Sequence, residues 1–297
     1  MIQSVSVIGA GAMGNGIAYV FASKGYKVHL IDVSQQQLER AMDLIIQNLD
    51  RQLFKNAISE ESKQETIRNI TMLTSFTAGV KEADLVVEAA TENMDLKLKI
   101  FKQVDEAAPV NCILATNTSS ISITKIASVT TRPQQVIGMH FMNPVPVMKL
   151  VEIINGYRTD KKITREIIEL SKKLGKVPCE VNDYPGFIAN RILMPMINEA
   201  IYSLHEGVAG VKEIDMVMKL GMAHPMGPLQ LADFIGLDVC HSIMEVLYNG
   251  FGNSKYAPCP LLTNMVNANH LGIKSGEGFY TYKKGSKDLV VSDRFSS

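Results

Sequence analysis

Residues 5–14 read V-S-V-I-G-A-G-A-M-G. Gly9, Gly11 and Gly14 thus stand in G-x-G-x-x-G spacing, after an apolar run and before a segment with no helix breaker until Gly25. A strand, a glycine turn and a helix in that order aim backbone N–H groups and the positive end of a helix dipole at an anion. Gly9 permits the tight turn, Gly11 lets the backbone approach phosphates, and Gly14 lets helix and strand pack closely. Ala12 and Met13 complete the turn. A second apolar run, Tyr26–Ile31, delivers Asp32. A carboxylate there accepts hydrogen bonds from ribose hydroxyls and repels a 2′-phosphate. The spacing predicts a pyrophosphate cradle for NAD in preference to NADP. The plainer alternative is a glycine-rich turn of an unrelated α/β protein, with Asp32 as a helix cap.

The segment Val136–Glu152 carries a second chemistry. It sets His140 at the end of one predicted strand and Glu152 inside the next, Leu150–Ile154, with Pro144 and Pro146 forcing a rigid turn between them. The carboxyl ends of strands in an open α/β sheet form the ligand crevice. An imidazole can accept and return a proton near neutral pH. A buried carboxylate on its other nitrogen fixes the tautomer and stabilises the imidazolium. Glu152 lies in an apolar strand, where an unpaired carboxylate is costly, and His140 is the nearest partner by this pattern. His29, His205, His224, His241 and His270 lack such a companion, and no pair has metal-ligand spacing. The polar run Ala115–Ser120 follows another strand, Cys112–Ala115. Its short side chains could hold a nicotinamide ribose and a substrate oxygen, or Ser119 or Ser120 could simply cap a helix over 121–127. Glu92 and Lys97 fall where a fourth strand passes into a helix, and spacing alone reads them as a cap and an exposed charge.

The elements that must position these residues alternate. Strands are predicted at Val5–Ile8, Val28–Ile31, Ile70–Leu73, Asp84–Glu88, Ile113–Thr116, Val136–His140, Leu150–Ile154 and Val177–Val181, with helices between, as in a mostly parallel, doubly wound Rossmann-type sheet. A first helix is expected over 15–24. The longest should run from Ser34, its cap, to Phe54. At Asn182-Asp-Tyr-Pro-Gly186 the alternation stops. This predicts domains of 1–183, the NAD-binding domain, and 184–297, an all-α domain for substrate and dimerisation. Helices are expected there over 187–204, 211–220, 229–249 with a possible break at Gly236, and 261–269. The first of these is apolar nearly all round, contains Pro195, and invites a homodimer.

With 297 residues, the chain can bury a large core or two modest ones. Lys+Arg and Asp+Glu both number 30, which points away from nucleic acid and membrane surfaces. Four scattered cysteines, Cys112, Cys179, Cys240 and Cys259, suit reduced thiols in the cytoplasm. No apolar run is long enough for a membrane span, and the chain enters its first strand at once, so no signal peptide is expected.

Taken together, Gly9–Gly16, Asn117-Thr-Ser-Ser120, His140-Phe-Met-Asn-Pro-Val-Pro146, Pro185-Gly-Phe-Ile-Ala-Asn-Arg191, His224-Pro-Met-Gly-Pro228 and Lys274-Ser-Gly-Glu-Gly-Phe-Tyr280 resemble the 3-hydroxyacyl-CoA dehydrogenases over essentially the whole chain. Bacterial 3-hydroxybutyryl-CoA dehydrogenases are the nearest branch. The resemblance implies NAD-dependent oxidation of a short (S)-3-hydroxyacyl-CoA, and the reverse, in a cleft between the domains. It makes His140 the acid–base residue, Glu152 its orienter, and Ser119 and Asn190 donors to the substrate's 3-oxygen and thioester end. Asn143 helps line the same site, and Asp32, Glu92, Lys97, Asn117 and Lys274 match the family's cofactor contacts. Arg51 and Lys55, with Asp50 beside them, are the only candidates for CoA phosphates. The segment Asn269–Lys274 departs from relatives that carry an aromatic residue and an arginine there. Two rival readings stay open: a related β-hydroxyacid dehydrogenase, such as one acting on gulonate, and a non-catalytic NAD-binding protein.

Overall fold

Eight mostly apolar runs build one sheet in the first of two compact units, Met1–Tyr184, of the computed structural model, which describes residues 2–283, 285 and 288–296. The strands are β1 (Ser4–Ile8), β2 (Lys27–Ile31), β3 (Ile70–Leu73), β4 (Leu85–Glu88), β5 (Ile113–Thr116), β6 (Val136–Phe141), β7 (Leu150–Asn155) and β8 (Val177–Asn182), in the order β3-β2-β1-β4-β5-β6-β7-β8. The central strands β4 and β5 are buried along their whole length, as parallel strands covered on both faces must be. Helices α1 (Ala12–Ala22), α2 (Gln35–Phe54), α3 (Glu60–Arg68), α4 (Phe76–Val80), α5 (Met94–Ala107), α6 (Ile123–Ala127) and α7 (Lys161–Lys173) connect them. The Ser34 hydroxyl accepts from Gln37 N and caps α2, whose Leu38, Ala41, Ile45 and Leu49 face the core. α1 begins three residues earlier than the sequence suggests, because Gly11 itself serves as its N-cap.

One pairing departs from the parallel pattern. β6 and β7 run antiparallel, and His140 and Glu152 are direct cross-strand partners. The physical reason is the link 142–149, shorter than the dozen or more residues a parallel crossover needs. The link is fastened by Lys176, whose buried ammonium donates to Val145 O and Met148 O. A Cβ on Gly16 would fall 2.8 Å from Val145 Cβ, so the glycine lets α1 lie directly against this turn.

The second unit, Pro185–Ser297, holds α8 (Ala189–His205), α9 (Val211–Met216) running into a π-helical turn at Val217–Gly221, α10 (Pro228–Ile235), α11 (Leu237–Phe251) and α12 (Pro260–Asn267). α8 continues through Pro195. The expected helix over 229–249 is two helices, parted at Gly236, whose φ of +104° a side chain rarely adopts. A short antiparallel pair, β9 (Tyr280–Thr281) and β10 (Val290–Val291), appears where no strand was expected. Two residues per strand are too few for a readable alternation.

Candidate active site

The glycine turn closes the gap between β1 and α1. Gly9 N donates to Ile31 O at 2.7 Å, and Gly9 has φ +99°. A Cβ on Gly9 would lie 2.7 Å from Ala89 O, and one on Gly14 would overlap Gly9 O. A Cβ on Gly11 would meet no atom of the protein, since Gly11 faces an open groove of about 490 Å³. Gly9, Asp32, Ala89, Ala90 and Leu96 share that groove's lining. It lies at the sheet's switch point between β1 and β4, and the first turn of α1 carries no acidic residue. Unpaired N–H groups and a helix dipole there suit a diphosphate. Asp32 accepts from Ala10 N (2.8 Å) and Ser34 N (3.0 Å), which fixes its carboxylate beside the groove and leaves it further acceptor capacity. These residues fit a dinucleotide. Ala12 and Met13 form the opening of α1.

On the next strands, His140 is held at both ring nitrogens. Nδ1 lies 2.7 Å from Glu152 Oε2 and Nε2 lies 3.0 Å from Ser119 Oγ. Glu152 and His140 are both buried. A carboxylate only accepts, so Nδ1 carries the hydrogen toward Glu152, and in the neutral tautomer this leaves Nε2 as an acceptor facing the Ser119 hydroxyl. Register explains the pairing, because cross-strand partners project to the same face of the sheet. Ser119 and Ser120 do not cap α6. Ser122 does, accepting from Lys125 N.

Glu92 explains why the 118–120 loop is ordered. Its Oε1 accepts from Thr118 Oγ1 (2.5 Å), Ser119 N (3.0 Å), Ser120 N (3.1 Å) and Ser120 Oγ (2.9 Å). Burial alone would push its carboxyl up. The Lys97 charge and these hydrogen bonds outweigh burial and hold it below the usual range. Lys97 is not the exposed helix charge that spacing suggests. It is 1% exposed, with Nζ 2.6 Å from Glu88 Oε1 and 3.4 Å from Glu92 Oε2. Glu88, wholly buried, was absent from the sequence-level candidates. The signal was present, since Glu88 is a carboxylate in an apolar strand, the same pattern that singled out Glu152.

The remaining candidates are spread over both units. Asn117 Oδ1 accepts from Phe141 N at 2.8 Å, tying β5 to β6 beside His140. Asn143 is exposed on the 142–149 turn. Asn190 is buried in the first turn of α8, and Lys274 pairs with Asp238, both in the second unit. Arg51 and Lys55 are exposed at the end of α2, where the neighbouring Asp50 is engaged by Lys63 at 2.8 Å.

A glycine turn at the switch point of a doubly wound sheet, opening on a groove edged by a strand-end carboxylate, makes the first unit a dinucleotide-binding domain of the dehydrogenase class. Family comparison narrows the class. Residues 4–184 match the 3-hydroxyacyl-CoA dehydrogenase NAD binding domain, and residues 186–282 match the C-terminal domain of the same family. The chain belongs to the 3-hydroxyacyl-CoA dehydrogenase family. It is 52% identical to a probable 3-hydroxybutyryl-CoA dehydrogenase of Bacillus subtilis, over 95% of this chain and 98% of that one. To the 3-hydroxybutyryl-CoA dehydrogenase of Bradyrhizobium diazoefficiens it is 50% identical, over 97% and 98%. Its fold matches the crystal structure of (S)-3-hydroxybutyryl-CoA dehydrogenase from Ralstonia eutropha with a TM-score of 0.93 and 49% identity, covering 96% of this chain and all of that one.

Proposed function

We propose that this chain oxidises short (S)-3-hydroxyacyl-CoA thioesters, 3-hydroxybutanoyl-CoA foremost, to the 3-oxoacyl-CoA, and catalyses the reverse. The observation that carries the reading is the buried His140 ring, gripped by Glu152 and Ser119, in a chain that shares half its residues with enzymes named for that substrate. NAD, held by the Gly9–Gly14 turn and Asp32, supplies the hydride chemistry at C3. In the oxidising direction, His140 Nε2 takes the proton of the 3-hydroxyl. Glu152 keeps the other nitrogen protonated and stabilises the imidazolium that forms. Ser119 and Asn190 donate to the substrate oxygens, countering the charge that develops there. Asn117, Asn143 and Lys274 complete the cofactor and substrate contacts, Glu92 and the buried Lys97 brace the 118–120 loop, and Arg51 and Lys55 meet the CoA phosphates. The enzyme works in the cytoplasm as a homodimer assembled through its second unit.

The test compares 3-oxoacyl-CoAs from C4 to C16 with NADH and with NADPH, and free hydroxy acids with NAD, as substrates of the parent and of His140→Gln. Turnover should be greatest with acetoacetyl-CoA and NADH. His140→Gln should bind NADH normally and lose about 10²- to 10⁴-fold in kcat, the worth of one positioned acid–base group. Parent-like kcat in that variant would remove His140 from the chemistry, and preference for free acids would reassign the substrate.

A further inference from the structure

Glu88, the most deeply buried carboxylate among the described residues, is left unused by this account of the reaction. It closes β4, with Ile8 as its register partner on one side and Thr116 on the other. Every oxygen is engaged. Oε1 accepts from Ala90 N at 2.7 Å and from Lys97 Nζ at 2.6 Å, and Oε2 accepts from Thr116 Oγ1 at 2.6 Å. Two routes leave this carboxylate and meet again at one loop. In the first, Thr116 Oγ1 accepts from Thr118 N at 3.2 Å. In the second, Lys97 Nζ lies 3.4 Å from Glu92 Oε2, and Glu92 Oε1 gathers Thr118 Oγ1, Ser119 N and Ser120 N. Ser119 then presents its hydroxyl to His140 Nε2.

We propose that Glu88 is a positioning residue for the reaction: through Thr116 on one side and the Lys97–Glu92 pair on the other, it sets the 118–120 loop and with it the Ser119 hydroxyl against His140.

A buried ion pair is a weak source of net stability, since apolar side chains of similar volume often serve as well or better. What it supplies is direction. Glu88 and Lys97 hold each other in one arrangement, because either left alone would be an uncompensated buried charge. Lys97, so fixed, can approach Glu92 from one side only. Glu92 then accepts the loop's N–H groups in one place, and the hydroxyl that meets the imidazole inherits that placement. Second-layer contacts of this kind decide whether a catalytic group sits within a fraction of an ångström of its working position.

The inference rests on the reading of His140 as the acid–base group, so His140→Gln is carried alongside. The main variant is Glu88→Asp, which keeps the charge that Lys97 needs and shortens its reach by one methylene. Thr116→Val is the second; it leaves the Glu88–Lys97 pair intact and removes the other route. Each full-length protein is measured for NADH affinity by fluorescence titration, for Tm, and for kcat and KM with acetoacetyl-CoA per NADH-binding site. Glu88→Asp should lose about 10- to 100-fold in kcat, as small misplacements do, while its NADH affinity stays within about 3-fold. Thr116→Val should lose about 3- to 10-fold in kcat in the same pattern. A kcat per site within about 2-fold of the parent in either variant overturns the proposal, as does a loss that only follows a fall in Tm or in the number of NADH sites. If Glu88→Asp does not fold, Thr116→Val decides alone. An active His140→Gln would sink the acid–base reading; an inactive His140→Gln beside a fully active Glu88→Asp sinks this inference only.

Discussion

Three glycines at most five residues apart do three different jobs, and substitution separates them. Gly14 has no room, because its Cβ would overlap Gly9 O, a backbone atom that cannot turn aside. Gly11 has room, since its φ of −68° and ψ of −171° suit any residue and its Cβ would meet only the groove. Gly14→Ala should therefore cost about 3 kcal/mol or more of folding stability, seen as a lower denaturation midpoint, and lose NADH binding with it. Gly11→Ala should melt like the parent yet weaken NADH about 10-fold or more, because its methyl group enters the space a pyrophosphate needs. Equal NADH affinity in Gly11→Ala, measured by fluorescence titration, would place the cofactor elsewhere. At this scale the glycines, Asp32 and the His140–Glu152 pair were legible, because each breaks the local pattern of its strand. The burial of Lys97 was not, because it sits on a helix turn that spacing marks as exposed and only the folded chain brings Glu88 to it.

At the scale of elements, α9, α10 and β9 are joined by two carboxylates. Asp215 accepts from Leu229 N and Gln230 N at the start of α10 and from the Tyr280 hydroxyl. Asp233 accepts from Phe279 N, Tyr280 N and the Tyr282 hydroxyl. Burial pushes both carboxyls up, Asp233 to about 6, despite the donors that favour its charge. The unfolded chain releases that proton near ~3.9, so the native state binds more protons between these values. Stability from Asp233 thus rises as pH falls through about 6 and is lost as pH rises through it. Glu92, held low, has the opposite sign: its contribution is present above the unfolded carboxyl range and is lost on acidification. Melting curves of the parent and Asp233→Asn should show the parent's advantage about 1 kcal/mol larger at pH ~5 than at pH ~7.5, and an advantage that shrinks on acidification would contradict the raised carboxyl. None of this was readable from the sequence, because Asp215 and Asp233 look like ordinary helix-surface acids until β9 closes over them. The eight sheet strands were readable to within one residue at each end, since continuous apolar runs in a covered sheet leave little ambiguity. The antiparallel return of β7 was legible only in the shortness of its link, a signal the prolines of the 142–149 turn overshadowed.

At the scale of the molecule, no net charge drives association, so any self-assembly must come from apolar surface. The second unit supplies it. Val217 and Leu220 stand exposed along one short π-helical stretch, with Leu220 at 78%, Met222 is exposed just after it, and Ile188, Ile192 and Phe234 are exposed elsewhere in the unit. An apolar hollow of about 450 Å³, lined in part by Met196, Ala200, Ile214 and Val217, lies next to that stretch. Scattered apolar side chains need no partner, but a run of them beside an apolar hollow is the usual mark of a protein interface. The proposed homodimer should therefore sediment as a dimer at micromolar concentration, and Leu220→Glu should shift it to monomer, since a buried charge without a partner opposes association by several kcal/mol. The substitution lies on an exposed position and should leave Tm of the isolated chain nearly unchanged. A parent that sediments as a monomer would end the homodimer proposal, a Leu220→Glu protein that stays dimeric would move the interface off this face, and NADH binding by the first unit should be unaffected by Leu220→Glu.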